Sequence, residues 1–296
     1  MTTPSQFSNL PEDIGRIIFE LSVADRAPLS WTCALVSKKV QAWVELILYK
    51  HIVISTAPRL ARLRSTIQAH PMKQDDFFSV QVKSLLVPSS WEYPQDDIQY
   101  VVSACAGVDS LLFWTDSSDF ANTLKNLPSP PSPRHLAAFG SGFCHDLSNP
   151  IYHKVTHLWL TLQAGRNHPN WDELAMLSEL THLLIIGDVY HDAWTAAEFL
   201  GNSVLAHSPP SLRVVVLVGD DSFIKEVEII DSVDSRIVVL VQHEQGKERL
   251  NTDVVLFEDA VELQYVWGLP SFDGRDIWSR AEAMIKGRLA RTVSQR

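Results

Sequence analysis

The chain has 296 residues, 46% hydrophobic and 20% charged, a globular composition with length for one large domain or two ordinary ones. Its formal net charge of −10 argues against a nucleic-acid or anionic-membrane partner, either of which needs a concentrated basic face. The three cysteines, Cys33, Cys105 and Cys144, are scattered, offer neither a disulfide framework nor paired zinc-ligand spacing, and read as small buried hydrophobes.

The opening MTTPSQFSN has no basic segment followed by an apolar run, and no apolar stretch reaches the ~18–20 residues that span a bilayer. The expectation is a soluble intracellular protein, cytoplasmic or nuclear. The stretch NLPEDIGRIIFEL (9–21) predicts a helix. Pro11 suits a first turn, where its missing N–H is not needed, and Glu12 and Asp13 favour the positive helix N-terminus. Ile14, Ile17, Ile18 and Leu21 fall at i, i+3, i+4 and i+7 as one apolar stripe. Pro28 breaks the pattern. A second helical run, SWTCALVSKKVQAWVELILY (30–49), carries Leu35, Val36, Val40, Trp43, Val44 and Ile47, with Lys38 and Lys39 on its wet side.

After residue 50 short apolar bursts of strand length recur, among them HIVIS, VKSLLVP, VDSLLFW, PRHLAAF, VTHLWLTL and LTHLLIIG. Most fit one template, as in Val82-x-x-Leu85-x-Val87 and Leu180-x-x-Leu183-x-Ile185. Its first position falls at 82, 108, 133, 155, 180, 212, 235 and 252, in steps of 26, 25, 22, 25, 32, 23 and 17 residues. Most steps lie near the ~20–29 residues of a leucine-rich-repeat unit. Helical stretches intervene at 94–107, closed by Gly107, at 171–180 and at 193–206. Strand, helix, strand at this period predicts parallel strands joined by crossovers in an open solenoid. Only QHEQGKERLN separates the last two strands, which leaves a hairpin open there. The segment 273–290 predicts a helix led by Asp276, burying Ile277, Trp278, Ala281, Met284 and Ile285 and covering the last open core.

Eleven histidines invite a metal or catalytic reading, but His157 and His182 hold the same place in two THL motifs, the signature of repetition. No HExxH, phosphate-binding glycine loop, Gly-x-Ser-x-Gly or Cys-x-x-Cys occurs, so no catalytic residue, metal ligand or cofactor is expected. GSG at 140–142 reads as a turn and LPSPPSPR at 127–134 as a stiff connector. Trp91, Tyr93, Trp114, Trp171, Tyr190 and Trp194 each follow a strand or open a helix. They form either a substrate-binding rim or wedges between helices.

LPEDIGRIIFEL followed by ALVSKKVQAWVELILYKHIVI resembles an F-box through Leu10, Pro11, Ile14, Ile17, Ile18, Leu35, Val36, Leu48 and Tyr49. Ser37 stands where that motif usually has Cys, and Val40 where it has Trp, with Trp43 one turn later. The remainder, with VTHL, LTHL, PPSLRVVVL, Arg236–Leu240 and DIWSRAEAMI, resembles the F-box proteins with degenerate leucine-rich-like repeats found in mushroom-forming fungi. The resemblance implies an F-box-like helical domain over 7–50 and an α/β solenoid over 51–296 with a C-terminal capping helix. It implies a non-enzymatic substrate receptor of an SCF-type ubiquitin ligase. Leu10, Pro11, Ile14, Ile17, Ile18, Leu35, Val36, Val40 and Trp43 would meet a Skp-type adaptor and through it a cullin, and the repeats would hold a protein substrate. The alternative is an interaction scaffold that keeps the helices for structure and takes no part in ubiquitylation.

Overall fold

A computed structural model describes residues 10–24, 30–69, 76–87, 94–114, 124, 127, 130–139, 146–162, 169–187, 193–219, 229, 233–242, 255–257 and 277–294. It opens with three helices, α1 (Glu12–Ala24), α2 (Ser30–Cys33) and α3 (Lys38–Leu48). The run expected over 30–49 is therefore interrupted. Ser37 starts α3 afresh as its N-cap, its hydroxyl accepting the Val40 N–H at 3.1 Å. The three helices share a small core of Val23, Val40, Val44 and Leu48, with Phe19, Trp43 and Ile47 packed around it.

Among the described residues nine strands follow: β1 (His51–Val53), β2 (Ser84–Val87), β3 (Ser110–Trp114), β4 (His135–Phe139), β5 (His157–Leu162), β6 (His182–Gly187), β7 (Val214–Gly219), β8 (Ile237–Gln242) and β9 (Val255–Phe257). They form one open sheet in which sheet order equals chain order and every neighbouring pair is parallel. The strands β2 to β7 each start on their predecessor in the same way. The Lys50 carbonyl accepts both the Lys83 and the Ser84 N–H, and the pattern recurs at Lys83, Asp109, Arg134, Thr156 and Thr181. One carbonyl thus fixes the register of the next strand.

Both faces of the sheet are buried, as an all-parallel sheet requires. On the first face the register aligns Leu85, Leu111, Leu136, Leu158, Leu183, Val215 and Ile237, none more than 1% exposed. Burying each contributes roughly 1.5–3 kcal/mol. The crossover elements cover this face: α4 (Ala57–Ala69), α5 (Phe77–Gln81), α6 (Gln95–Ala104) and α7 (Ala193–Phe199), with 3-10 turns at Pro150–Tyr152 and Trp171–Met176. The helix expected over 171–180 is only that 3-10 turn. Gly107 is not the cap of α6, which is Cys105. A Cβ on Gly107 would stand 2.0 Å from the Ser79 carbonyl oxygen, so glycine is there for close approach.

Two expectations of register change. The template places Val238 on the first face, yet β8 pairs Val215 with Ile237, and Val238 aligns with Val216 on the second face. The repeat step there is one residue shorter than the spacing predicts, and a one-residue shift exchanges faces. The strand β9 is parallel to β8 and not the return arm of a hairpin.

The last helix, α8 (Ile277–Ser294), buries the expected face of Ile277, Trp278 and Ala281, with Met284 and Ile285 packed beside them. Its position differs from expectation. It lies across the second face of the sheet, chiefly on β7 and β8, and its Arg288 guanidinium donates to the Ile237 carbonyl at 2.6 Å. Residues left by the strand alternation on that face form a continuous apolar row, and α8 joins it rather than the end of the sheet.

Candidate functional site

The N-terminal helices carry two apolar faces on α1. Phe19 and Val23 turn toward α3 and enter the small shared core. At ~100° per residue Val23 lies opposite Ile14. The stripe of Ile14 (41% exposed), Ile17 (49%), Ile18 (40%) and Leu21 (64%) therefore points away from that core. Leu10, Leu35 and Val36 are exposed as well, the last two in the turn that Ser37 closes. An ion pair of Lys39 with Glu12 braces α1 on α3, and the Lys39 ammonium stands 5.6 Å over the Trp43 ring.

Of the nine residues expected to meet a partner, Leu10, Pro11, Ile14, Ile17, Ile18, Leu35 and Val36 are exposed. Val40 is not: it is 6% exposed and belongs to the module's own core. Trp43 is partly buried against the same core. A β-branched side chain fits where the three short helices converge, and the ring one turn later closes the side. Leu21 was visible in the stripe but was not among the expected contacts.

Of the six aromatics expected as a rim or as wedges, Trp171 is the one whose surroundings are described. Trp171 is 8% exposed, its ring edge-on to Phe199 at 5.3 Å, which makes it a wedge between crossover elements. Trp114 ends β3 and Trp194 lies in α7. Trp91, Tyr93 and Tyr190 fall outside the described residues, as do Cys144, Asp276 and the GSG at 140–142.

The histidines give a second constellation. His157 and His182 pair in register, as their shared motif implies, and His135 of Arg134-His135-Leu136 joins them one strand earlier. The rings of His157 and His182 stack at 4.2 Å and 7°, and His135 tilts onto His157 at 4.4 Å. Neighbouring hydroxyls hold the column: Thr181 Oγ1 lies 2.8 Å from His182 Nδ1, Thr156 Oγ1 2.9 Å from His157 Nδ1, and Ser110 Oγ 3.3 Å from His135 Nδ1. Trp278 of α8 stands edge-on over both His157 and His182, 5.3 Å from each. Glu282 Oε1 faces His182 Nε2 at 3.3 Å. The recurrent histidine was legible in the sequence; its meeting with α8, about a hundred residues away, was not.

Among the described residues no group of three or more His, Cys, Asp or Glu side chains is placed to hold a metal ion. Burial pushes the Cys105 thiol up to about 12, so it stays protonated and inert near neutrality. Cys33 is partly buried against the helical core. No described helix is long and apolar enough to cross a membrane.

By architecture the chain is an α/β protein with an open, all-parallel sheet in chain order and a C-terminal helix on one face. No protein-family model matches the sequence, and no curated protein matches it.

Proposed function

We propose that this chain is a non-enzymatic substrate receptor of an SCF-type ubiquitin ligase. Its F-box-like helices over 7–50 dock on a Skp-type adaptor, and a degenerate leucine-rich-repeat-like solenoid over 51–296 holds the protein to be ubiquitylated. The observation that carries this reading is the exposed stripe of α1. Four large apolar side chains in one row are 40–64% exposed on a helix whose opposite face is already buried. Contiguous exposed apolar surface of this kind marks an interaction site. Of the residues that carry the F-box resemblance, Leu10, Pro11, Ile14, Ile17, Ile18, Leu35 and Val36 are exposed, whereas Leu48 and Tyr49 pack inward. The strand order and the recurrent carbonyl that fixes each register support the repeat reading of the rest.

Affinity purification of the full chain from cells, with mass spectrometry, tests the proposal. A Skp-type adaptor and a cullin are expected in the eluate, and both should vanish with Ile17→Asp together with Ile18→Asp while the sheet stays folded by circular dichroism. An eluate unchanged by the double substitution sinks the receptor reading. Partners captured without adaptor or cullin leave a scaffold that uses the helices otherwise.

A further inference from the structure

A solenoid of parallel strands offers its strand face to ligands. In this chain that face is not open. The row Leu86, Leu112, Ala137, Trp159, Leu184 and Val238 is buried, each residue at most 7% exposed, and it forms one cluster with Ile277, Trp278 and Ala281 of α8. Over β7 and β8 the occupant is a helix of the chain itself, with Trp278 reaching over His157 and His182.

Three features distinguish α8 from a fixed part of the core. Its closest apolar packing is at its start, where Ala281 is 0% exposed; further along Lys286, Gly287 and Leu289 are exposed, a Cβ on Gly287 would touch nothing within 4 Å, and Arg288 holds the Ile237 carbonyl. Its contact with the histidine column is long, at 3.3 Å, from a Glu282 side chain that remains 41% exposed and also faces Lys286 at 3.4 Å. Charge-assisted bonds that bind firmly are nearer ~2.7–2.9 Å. Third, the column itself is an expensive choice for stability alone. Ser110 and His182 are buried polar groups beside an apolar row, where aliphatic side chains would need no partners. Imidazoles at that place discriminate: they favour a ligand that brings a carboxylate and penalise one that brings none.

We infer that the second face of the sheet is a helix-binding surface and that α8 is its resident ligand in cis. The substrates received there present an amphipathic helix with an aromatic anchor followed four residues later by a carboxylate, the pattern of Trp278 and Glu282. This rests on the receptor reading above and names its substrate class. Such a substrate competes with α8 for the row and the column, in the helix-in-groove mode of recognition. Binding to the unaltered chain is weakened by the fraction of time that α8 holds the face.

A fluorescein-labelled peptide of residues 277–294, titrated into the full chain, tests this by anisotropy. Ala281→Glu in the chain puts a carboxylate where nothing fits and expels the cis helix. The peptide is expected to bind that variant at least about tenfold more tightly than the unaltered chain. Trp278→Ala in the peptide should abolish the gain, and Glu282→Gln in the peptide should weaken it about threefold or more. Equal affinity for the two chains, or no binding to a folded Ala281→Glu chain, overturns the inference. If that variant fails to fold, Glu282→Gln in the chain replaces it, since it weakens the contacts to His182 and Lys286 and leaves the apolar side of α8 intact. A peptide bound no better by that chain is equally fatal. Adaptor capture through α1 is read in parallel. Capture without peptide binding sinks this inference alone; peptide binding without capture sinks the receptor reading and leaves the surface a helix site.

Discussion

The helices α1 and α8 carry the same sequence signal and meet opposite fates. Each has apolar side chains at i, i+3 or i+4, and i+7, with charged residues between. In α8 the stripe is covered, with Ile277 at 7%, Trp278 at 9% and Ala281 at 0% exposure. In α1 the stripe stays in water, because Phe19 and Val23 on the opposite side already seat the helix on α3. A stripe shows that a helix has a face to bury. It does not show what covers that face. The cover is supplied by the sheet for α8 and, on the reading proposed here, by another protein for α1.

The largest effect expected lies under α8. Trp159 is 1% exposed in the second-face row, between Ala137 and Leu184. Removing the indole leaves a cavity beside Ala137, whose methyl group cannot fill it. Trp159→Ala should therefore cost about 3–5 kcal/mol. In a chain of this size that lowers the melting temperature by roughly 10 °C, readable by calorimetry. A shift under two degrees would mean that the row is not a packed core and that α8 is as loosely covered as α1.

Much of the sheet was legible because its signal repeats. Leu85, Leu111, Leu136, Leu158 and Leu183 sit at one template position, and the structure aligns all five. The template slipped where the sequence stops discriminating. In Ile237-Val238-Val239-Leu240 every residue is apolar, so either face accepts either parity, and only the pairing of Val215 with Ile237 decides. The helices at Ala57–Ala69 and Phe77–Gln81 were missed because each offers the core few anchors, Leu60 in the first and Phe78 in the second. At the candidate sites the exposed face of α1 was readable residue by residue. The inward turn of Val40 was not, since helix period cannot tell a module's own core from a partner's. The place of α8 was likewise hidden, because its contacts with His157, His182 and Ile237 are all long-range.

A smaller effect is expected where β8 begins, beside the strands that α8 covers. Asp234 accepts from the Arg236 backbone N–H at 2.8 Å and from its guanidinium at 3.0 and 2.8 Å. The same guanidinium donates to the Leu212 carbonyl at 3.1 Å, tying the start of β8 to the start of β7. The hydrogen bond from Arg236 holds the Asp234 carboxyl below its ordinary value of 3.8. A group depressed on folding contributes stability that is fully present above its unfolded value and is lost as pH falls through the folded one. Asp234→Asn should cost about 0.5–1 kcal/mol at neutral pH, the range of a partly screened pair. The difference from the unaltered chain should shrink as pH falls below 3.8 and through the lower folded value, where Asp234 takes up its proton. Urea melts at pH 7 and pH 3 check it; a cost that grows toward acid would refute the assignment.

The smallest expected effect is the most telling for α1. Ile17→Asp puts a charge into a stripe that is 49% exposed at that residue, on the side of the helix away from Phe19 and Val23. In a covered face such a substitution buries an unpaired carboxylate and is among the most damaging known. At Ile17 the carboxylate stays hydrated. It stands next to Arg16 and about one turn before Glu20, which already pair with each other, so no ion pair of the module is broken. The cost to folding should stay within about 0.5 kcal/mol, and the urea midpoint of the isolated chain should be unchanged within error. A large loss of stability would show that the chain itself covers the stripe in solution, and α1 would then join α8 as a helix with its partner in cis.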